Sequence, residues 1–195
     1  MIDIGVLAFQ GSVREHISFL SRIDGVNAAL VKTPGDLKGV SGLILPGGES
    51  TTIGKLLRES GLGDYIKERV ISGMPVWGTC AGMILMAREI SGEEKSHLDL
   101  MDIKVRRNAY GSQLDSFITQ GVIGEVSEGN LPMVFIRAPW VEEAGSNVKV
   151  LYSLDDKIVA ARQGNMLATS FHPELTDNLD FHKYFVRMAE ESPNL

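Results

Sequence analysis

Pro75-Val76-Trp77-Gly78-Thr79-Cys80-Ala81-Gly82-Met83-Ile84-Leu85 is the stretch whose reading decides the fold. It begins as a buried strand, turns sharply between two glycines and ends as the start of an apolar helix. Cys80, the only cysteine in the 195 residues, stands at the turn, where a strand-to-helix elbow lifts a nucleophile out of a sheet toward solvent. Gly78 and Gly82, two positions to either side, are what such a turn requires, because neighbouring backbone comes too close for side chains. A thiol in the first turn of a helix faces the positive end of the dipole and several unpaired N–H groups, and both favour the thiolate. A lone cysteine is otherwise a small buried hydrophobe. Its position carries the signal here.

Working outward, the chain upstream alternates short apolar runs with amphipathic stretches. Residues 2–9 form a continuous apolar run, expected as a strand buried on both faces and ending at Gln10-Gly11. Ser12 with Glu15 has the form of a capping box opening a helix, with Ile17, Leu20 and Ile23 as its core stripe. Residues 28–31 and 42–45 are two further strands joined by a polar connection through 33–36. The second runs into Pro46-Gly47-Gly48-Glu49-Ser50. A helix capped by Ser50, Thr51 or Thr52 follows, then another with Tyr65, Ile66, Val70 and Ile71 on its apolar side. This interleaving predicts an α/β domain whose mostly parallel sheet is covered by helices on both faces. Downstream of the elbow, residues 102–106, 117–118, 121–124, 134–136, 148–151 and 158–161 read as short antiparallel strands. Residues 166–171 are one more strand, ending at His172-Pro173-Glu174, and 179–188 a closing helix.

Length and composition expect one domain over residues 1–195. The formal charge of −6 and the lack of a basic stripe argue against nucleic-acid binding. No segment has the length and apolar purity of a membrane span, and the N-terminus has no basic leader, so the expected location is the cytoplasm. Nothing in the pattern calls for a cofactor or a metal.

A thiolate nucleophile needs a histidine to move protons and an acid to orient it. His16 and His182 fall within helices and His97 in a polar loop, so each is expected at or near the surface. His172 instead follows a core strand at the end where parallel-sheet sites form. Glu174, two residues on, would lie on the same side of an extended segment and reach one imidazole nitrogen while the other faces Cys80. The glycine pair after Pro46 could be a tight turn only. Its functional alternative is an oxyanion hole made by the amides of Gly48 and Ala81.

Gly78-Thr79-Cys80-Ala81-Gly82, Pro46-Gly47-Gly48-Glu49-Ser50-Thr51-Thr52 and Ser170-Phe171-His172-Pro173-Glu174 together resemble the class I, triad-type glutamine amidotransferases. Three more segments narrow the resemblance to the glutaminase subunits of pyridoxal 5'-phosphate synthases. They are Gly5-Val6-Leu7-Ala8-Phe9-Gln10-Gly11 with Val13-Arg14-Glu15-His16, then Val105-Arg106-Arg107-Asn108, then Phe135-Ile136-Arg137-Ala138-Pro139. The resemblance covers essentially the whole chain. It implies a three-layer α/β sandwich with a central mixed, mostly parallel sheet of the flavodoxin-like type, and hydrolysis of L-glutamine by Cys80, His172 and Glu174. It puts glutamine binding on Gly48, Glu49, Ser50, Arg107, Ile136 and Arg137. It implies as partner a (β/α)8-barrel synthase subunit in an assembly of twelve and twelve, with Gln10 and Gly47 placed at that interface. Of Arg106 and Arg107, adjacent on a strand, only one is expected to face the site. Two positions depart from the family pattern: Ser112, in Gly111-Ser112-Gln113 where an arginine is usual, and Asp99 in place of a glycine. The rival readings are the glutaminase of another ammonia-using synthase, such as that for imidazole-glycerol phosphate, a cysteine hydrolase on a related elbow fold, and a non-catalytic scaffold.

Overall fold

The structure, a computed structural model, describes residues 1–93, 95–107 and 116–192. The apolar runs near the N-terminus form β1 (Ile2–Leu7), β2 (Val26–Val31) and β3 (Gly42–Leu45), and the run before Cys80 forms β4 (Val76–Thr79). Between them lie α1 (Val13–Leu20), α2 (Pro34–Lys38), α3 (Ser50–Glu59) and α4 (Leu62–Ile71), and α5 (Ala81–Met86) follows the elbow. The second half contributes β5 (Ala87–Ile90), β6 (Met101–Arg106), β7 (Ser116–Ile123), β8 (Ser127–Ile136), β9 (Trp140–Ala144), β10 (Lys149–Leu154), β11 (Lys157–Gln163) and β12 (Met166–Thr169). A 3-10 turn at Pro173–Leu175 and α6 (Asp180–Glu191) close the chain.

Ten strands make one mixed sheet in the order β2-β1-β3-β4-β12-β11-β9-β6-β5, with β10 on β11, while β7 and β8 pair as a separate hairpin. The pairs from β2 through β12 are parallel. Beyond β12 the pairs to β11, β9 and β6 are antiparallel, and β5 returns parallel to β6. Two apolar clusters cover the faces, as a parallel sheet requires. One joins the sheet to Leu37, Ile53, Leu57, Ile66 and Val70 of α2 to α4. The other joins it to Leu20 of α1, Phe181 and Phe185 of α6, and Phe135 of β8. The α/β, three-layer, mostly parallel expectation therefore holds.

Several local expectations do not. Ser12 is the N-cap residue of α1 but makes no side-chain cap bond, so no capping box forms there. The polar connection at 33–36 is instead the capped start of α2, with Thr33 and Asp36 bonding reciprocally. Glu49, not Ser50, Thr51 or Thr52, caps α3 by accepting from the Thr51 amide. On α4 the buried stripe is Leu62, Ile66 and Val70, spaced four apart along one helix face, which leaves Tyr65 and Ile71 exposed. β5 and β9 were not anticipated. β5 follows α5 without a turn signal, and β9 begins after Pro139, with Glu143 exposed and the half-buried Glu142 paired with Arg106. Among the described residues no helix is long and apolar enough to cross a membrane.

Candidate active site

Four parallel strands end on the same edge of the sheet, and the segment after each supplies part of one cavity of about 320 Å³. Gly11 and Ser12 come after β1, residues 47–50 after β3, Cys80 and Ala81 after β4, and His172 after β12. Arg107, just past β6, and Ile136 and Arg137, at the end of β8 in the separate hairpin, add to the wall. This is the carboxyl edge, where open α/β sheets bind ligands.

The elbow is as tight as its glycines imply. Cys80 has φ 48° and ψ −103°, a conformation that L residues rarely adopt, and its amide donates to Thr169 O at 2.8 Å. A Cβ on Gly82 would lie 2.0 Å from Leu45 O, and one on Gly78 would lie 2.4 Å from the Gly82 carbonyl carbon. The Sγ atom sits 3.9 Å from Ile136 O. Ala81 opens α5, so its amide belongs to the unpaired donors of a helix start.

His172 Nδ1 and Glu174 Oε1 are 2.7 Å apart, both residues nearly buried. The pairing was expected on an extended segment, but Glu174 lies in the 3-10 turn that Pro173 begins, and the turn brings the carboxylate back beneath the ring. Burial pushes the His172 imidazole down, but the Cys80 sulfur and the Glu174 carboxylate more than offset it, raising it from 6.5 to about 10. Burial likewise pushes Glu174 up, and the electrostatic influence of the neighbouring His16 ring with hydrogen bonds from His172 and Ser12 overturns that, holding it low at about 2. The Ser12 hydroxyl, unused as a helix cap, donates to Glu174 Oε1 at 2.6 Å.

The signs fix a pH dependence. Stability contributed by the His172 proton is fully present below 6.5 and fades as pH rises through about 10. Glu174→Gln removes the carboxylate's share of the raise, so its urea-denaturation midpoint is expected to fall at lower pH than that of the parent, measured from pH 6.5 to 10.

The glycine turn is held from several sides. Gly47 N donates to Thr79 Oγ1 at 3.1 Å, and Gly47 O accepts from Ser12 N at 3.1 Å. A Cβ on Gly47 would lie 2.3 Å from His172 Cε1, so only glycine lets the turn lie flat on that ring. Gln10 reaches the same turn, its Nε2 donating to Glu49 O at 3.0 Å. Gly48 is exposed, whereas Gly47 is buried. The Ser50 hydroxyl is buried at the cavity wall without a partner among the described residues.

Arg107 pairs with Glu49 at 3.1 Å and with Glu93 at 2.7 Å, while Arg106 pairs with Glu142 away from the cavity. Of the two, Arg107, just past the end of β6, lines the cavity, consistent with the expectation that at most one arginine faces it. Arg137 lies at φ 42° on the cavity rim beside Ile136. All the candidate residues named for catalysis and glutamine binding line this cavity except Glu174, which stands behind His172. Asp99 adopts φ 49°, a left-handed conformation that suits the glycine it replaces. Ser112 lies outside the described residues.

Sequence reasoning missed Ser12, Thr79, His16 and His182. His16 and His182 are fully buried rather than near the surface, because the faces of α1 and α6 that carry them pack on Trp77 of β4. The available signal was Thr79, a polar residue at the end of an otherwise apolar buried strand.

A family model for the SNO glutamine amidotransferase family matches residues 6–191. The pyridoxal 5'-phosphate synthase subunit PdxT of Thermoanaerobacter pseudethanolicus is 57% identical over 185 residues, 95% of this chain and 98% of the relative. The protein of the same name from Ruminiclostridium cellulolyticum is 53% identical over 188 residues, 96% of this chain and all of the relative. A crystal structure of a glutamine amidotransferase superposes with a TM-score of 0.91 at 46% identity, covering 96% of this chain and 98% of that one. The structure of PurLQS from Thermotoga maritima shares the fold, with a TM-score of 0.67 at 15% identity, covering 95% of this chain and 98% of that one. The fold, the cavity and these matches agree: the chain belongs to the SNO glutamine amidotransferase family.

Proposed function

We propose that this chain is, over residues 1–195, the glutaminase subunit of a pyridoxal 5'-phosphate synthase, hydrolysing L-glutamine to L-glutamate and ammonia. The observation that carries the reading is the meeting of Cys80, the His172–Glu174 pair and the Gly47-Gly48 turn at one sheet edge, in a chain 57% identical to a synthase subunit.

The Cys80 thiolate attacks the side-chain amide carbon of glutamine, and the Gly48 and Ala81 N–H groups receive the oxyanion. His172, which holds its proton well above neutral pH, gives it to the departing nitrogen, and ammonia leaves a glutamyl thioester. Water, deprotonated by His172, then attacks the thioester and releases glutamate while the thiol is restored. Glu174 stays anionic throughout and orients the imidazole that it stabilises. Arg107 takes the substrate carboxylate and Glu49 its ammonium, each exchanging part of their mutual ion pair for the ligand. Ser50 Oγ, buried at the cavity wall and without a partner among the described residues, supplies a further polar contact to the bound amino acid.

Arg107→Met is expected to raise KM for glutamine by about 10- to 100-fold with kcat reduced far less, since one charge-assisted contact to the substrate is lost in ground and transition states alike. Initial rates of glutamate release over a glutamine series check this.

The acceptor of the ammonia is a (β/α)8-barrel synthase subunit, in an assembly of twelve glutaminases and twelve synthases in the cytoplasm. Gln10 and the turn at Gly47 and Gly48 lie at its contact. Mixing the chain with a candidate synthase while following complex size and glutamate formation tests the reading. Activation by an imidazole-glycerol-phosphate synthase and not by a pyridoxal phosphate synthase would overturn it.

A further inference from the structure

We propose that His16 and His182 are positioning residues for Glu174: a buried two-ring relay that presents an N–H to its second carboxylate oxygen and, through Thr79, ties that acid to the amide of Gly47. The proposal rests on Glu174 being the acid of the triad.

The rings come from opposite ends of the chain, α1 and α6, and meet under β4. His16 Nδ1 lies 2.9 Å from His182 Nε2, and His16 Nε2 lies 3.3 Å from Thr79 Oγ1 and 3.6 Å from Glu174 Oε2. Both imidazoles are fully buried, and burial lowers both. They are neutral, so each carries one N–H.

Counting donors assigns the tautomers. Among the described residues His182 Nδ1 has no partner. A buried N–H left unpaired costs more than a buried lone pair left unpaired, so the His182 proton sits on Nε2 and is donated to His16 Nδ1. That leaves the His16 proton on Nε2, facing Thr79 and Glu174 Oε2. Among the described residues Glu174 Oε2 has no other partner, whereas Oε1 already accepts from Ser12 and His172. The remaining charged groups whose fields reach the two rings are Glu15 and Arg22, and His172 faces them from the cavity side.

The relay also touches the glycine turn. Thr79 Oγ1, next to His16 Nε2, accepts the Gly47 N–H, and Ser12, which donates its hydroxyl to Glu174, donates its backbone N–H to Gly47 O. Both polar atoms of Gly47 are thus held by residues that reach the acid. Glu174 and the turn that carries one half of the oxyanion hole are set as one unit.

The test uses the full chain, alone and with its synthase. His16→Leu removes the donor, while in His16→Gln the side-chain amide places an N–H near the ring Nε2 position. Thr79→Val removes the hydroxyl and Thr79→Ser keeps it. His16→Leu and Thr79→Val are expected to lower kcat for glutamate formation about tenfold with KM for glutamine within about twofold, and to slow alkylation of Cys80 by iodoacetamide at pH 7 severalfold. The Gln and Ser variants are expected to stay within about threefold of the parent. Alkylation needs neither glutamine nor synthase, so a parent chain that releases no glutamate sinks the glutaminase reading without touching this one. Parental kcat and alkylation in a folded His16→Leu or Thr79→Val chain overturn the relay, as does a Gln variant as damaged as the Leu variant. Should His16→Leu fail to fold, the Thr79 pair decides by the same readouts.

Discussion

Cys80→Ala is expected to lower glutamate formation in the synthase complex by at least about a thousandfold, because the covalent step is lost and only binding and the oxyanion donors remain. Loss of Glu174 is expected to be milder, since it only orients His172. The same position carries a second expectation, on stability. Cys80 holds φ 48° and ψ −103°, and such backbone costs about 1–3 kcal/mol in any residue with a Cβ. Alanine keeps that cost and glycine relieves it. Cys80→Gly is therefore expected to melt above Cys80→Ala by several degrees, at about 2–4 °C per kcal/mol for a chain of this length. Equal melting temperatures for the two variants would show that the elbow is unstrained, and full turnover in Cys80→Ala would remove the cysteine from the mechanism.

The largest stability effect is expected at Gly82. A methyl group there would be built 2.0 Å from Leu45 O and 2.9 Å from Leu45 C, both backbone atoms of a central strand that cannot swing aside. Gly82→Ala must separate α5 from β3 or break the elbow, at a cost of about 3 kcal/mol or more. Against a total stability of about 5–15 kcal/mol, that is a drop in melting temperature of about 10 °C or outright failure to fold. Gly124→Ala is the control, because no atom lies within 4 Å of its added methyl and its φ is not left-handed. A Gly82→Ala chain melting within about 2 °C of the parent by calorimetry would mean that the helix and strand are not in the contact described.

What the sequence disclosed and what it withheld follow from the range of the interactions. The elbow, the glycine turn and the order of the first strands are local: apolar runs, glycines and a proline within a few residues of one another state them. The identity of the acid was legible because Glu174 is two residues from His172, although the 3-10 turn that joins them was not. Ser12 was misread because its local partner Glu15 satisfied a capping pattern, while its actual partner lies 162 residues away. His16 and His182 were misread for the same reason. An amphipathic helix places a histidine on a face, but only the packing of α1 and α6 on one side of Trp77 shows that the two faces meet. Arg107 was half legible, since strand alternation allowed at most one arginine of the pair to point inward without saying which, and Arg107 proves to lie just past the end of β6.

The strand order has a consequence for how the protein is made. Among the described residues β12 is the last strand in sequence, yet it sits between β4 and β11 in the middle of the sheet. As the chain leaves the ribosome, the hydrogen-bonding edge of β4 and the apolar groups around Trp77 wait for a segment that is synthesised some ninety residues later. Until it arrives they form an exposed, aggregation-prone edge, the kind of surface that chaperones cover. The same strand delivers His172 and Glu174 to Cys80. A nascent or C-terminally truncated chain therefore carries the thiol without its proton carrier, so hydrolytic competence and completion of the sheet come in a single late event.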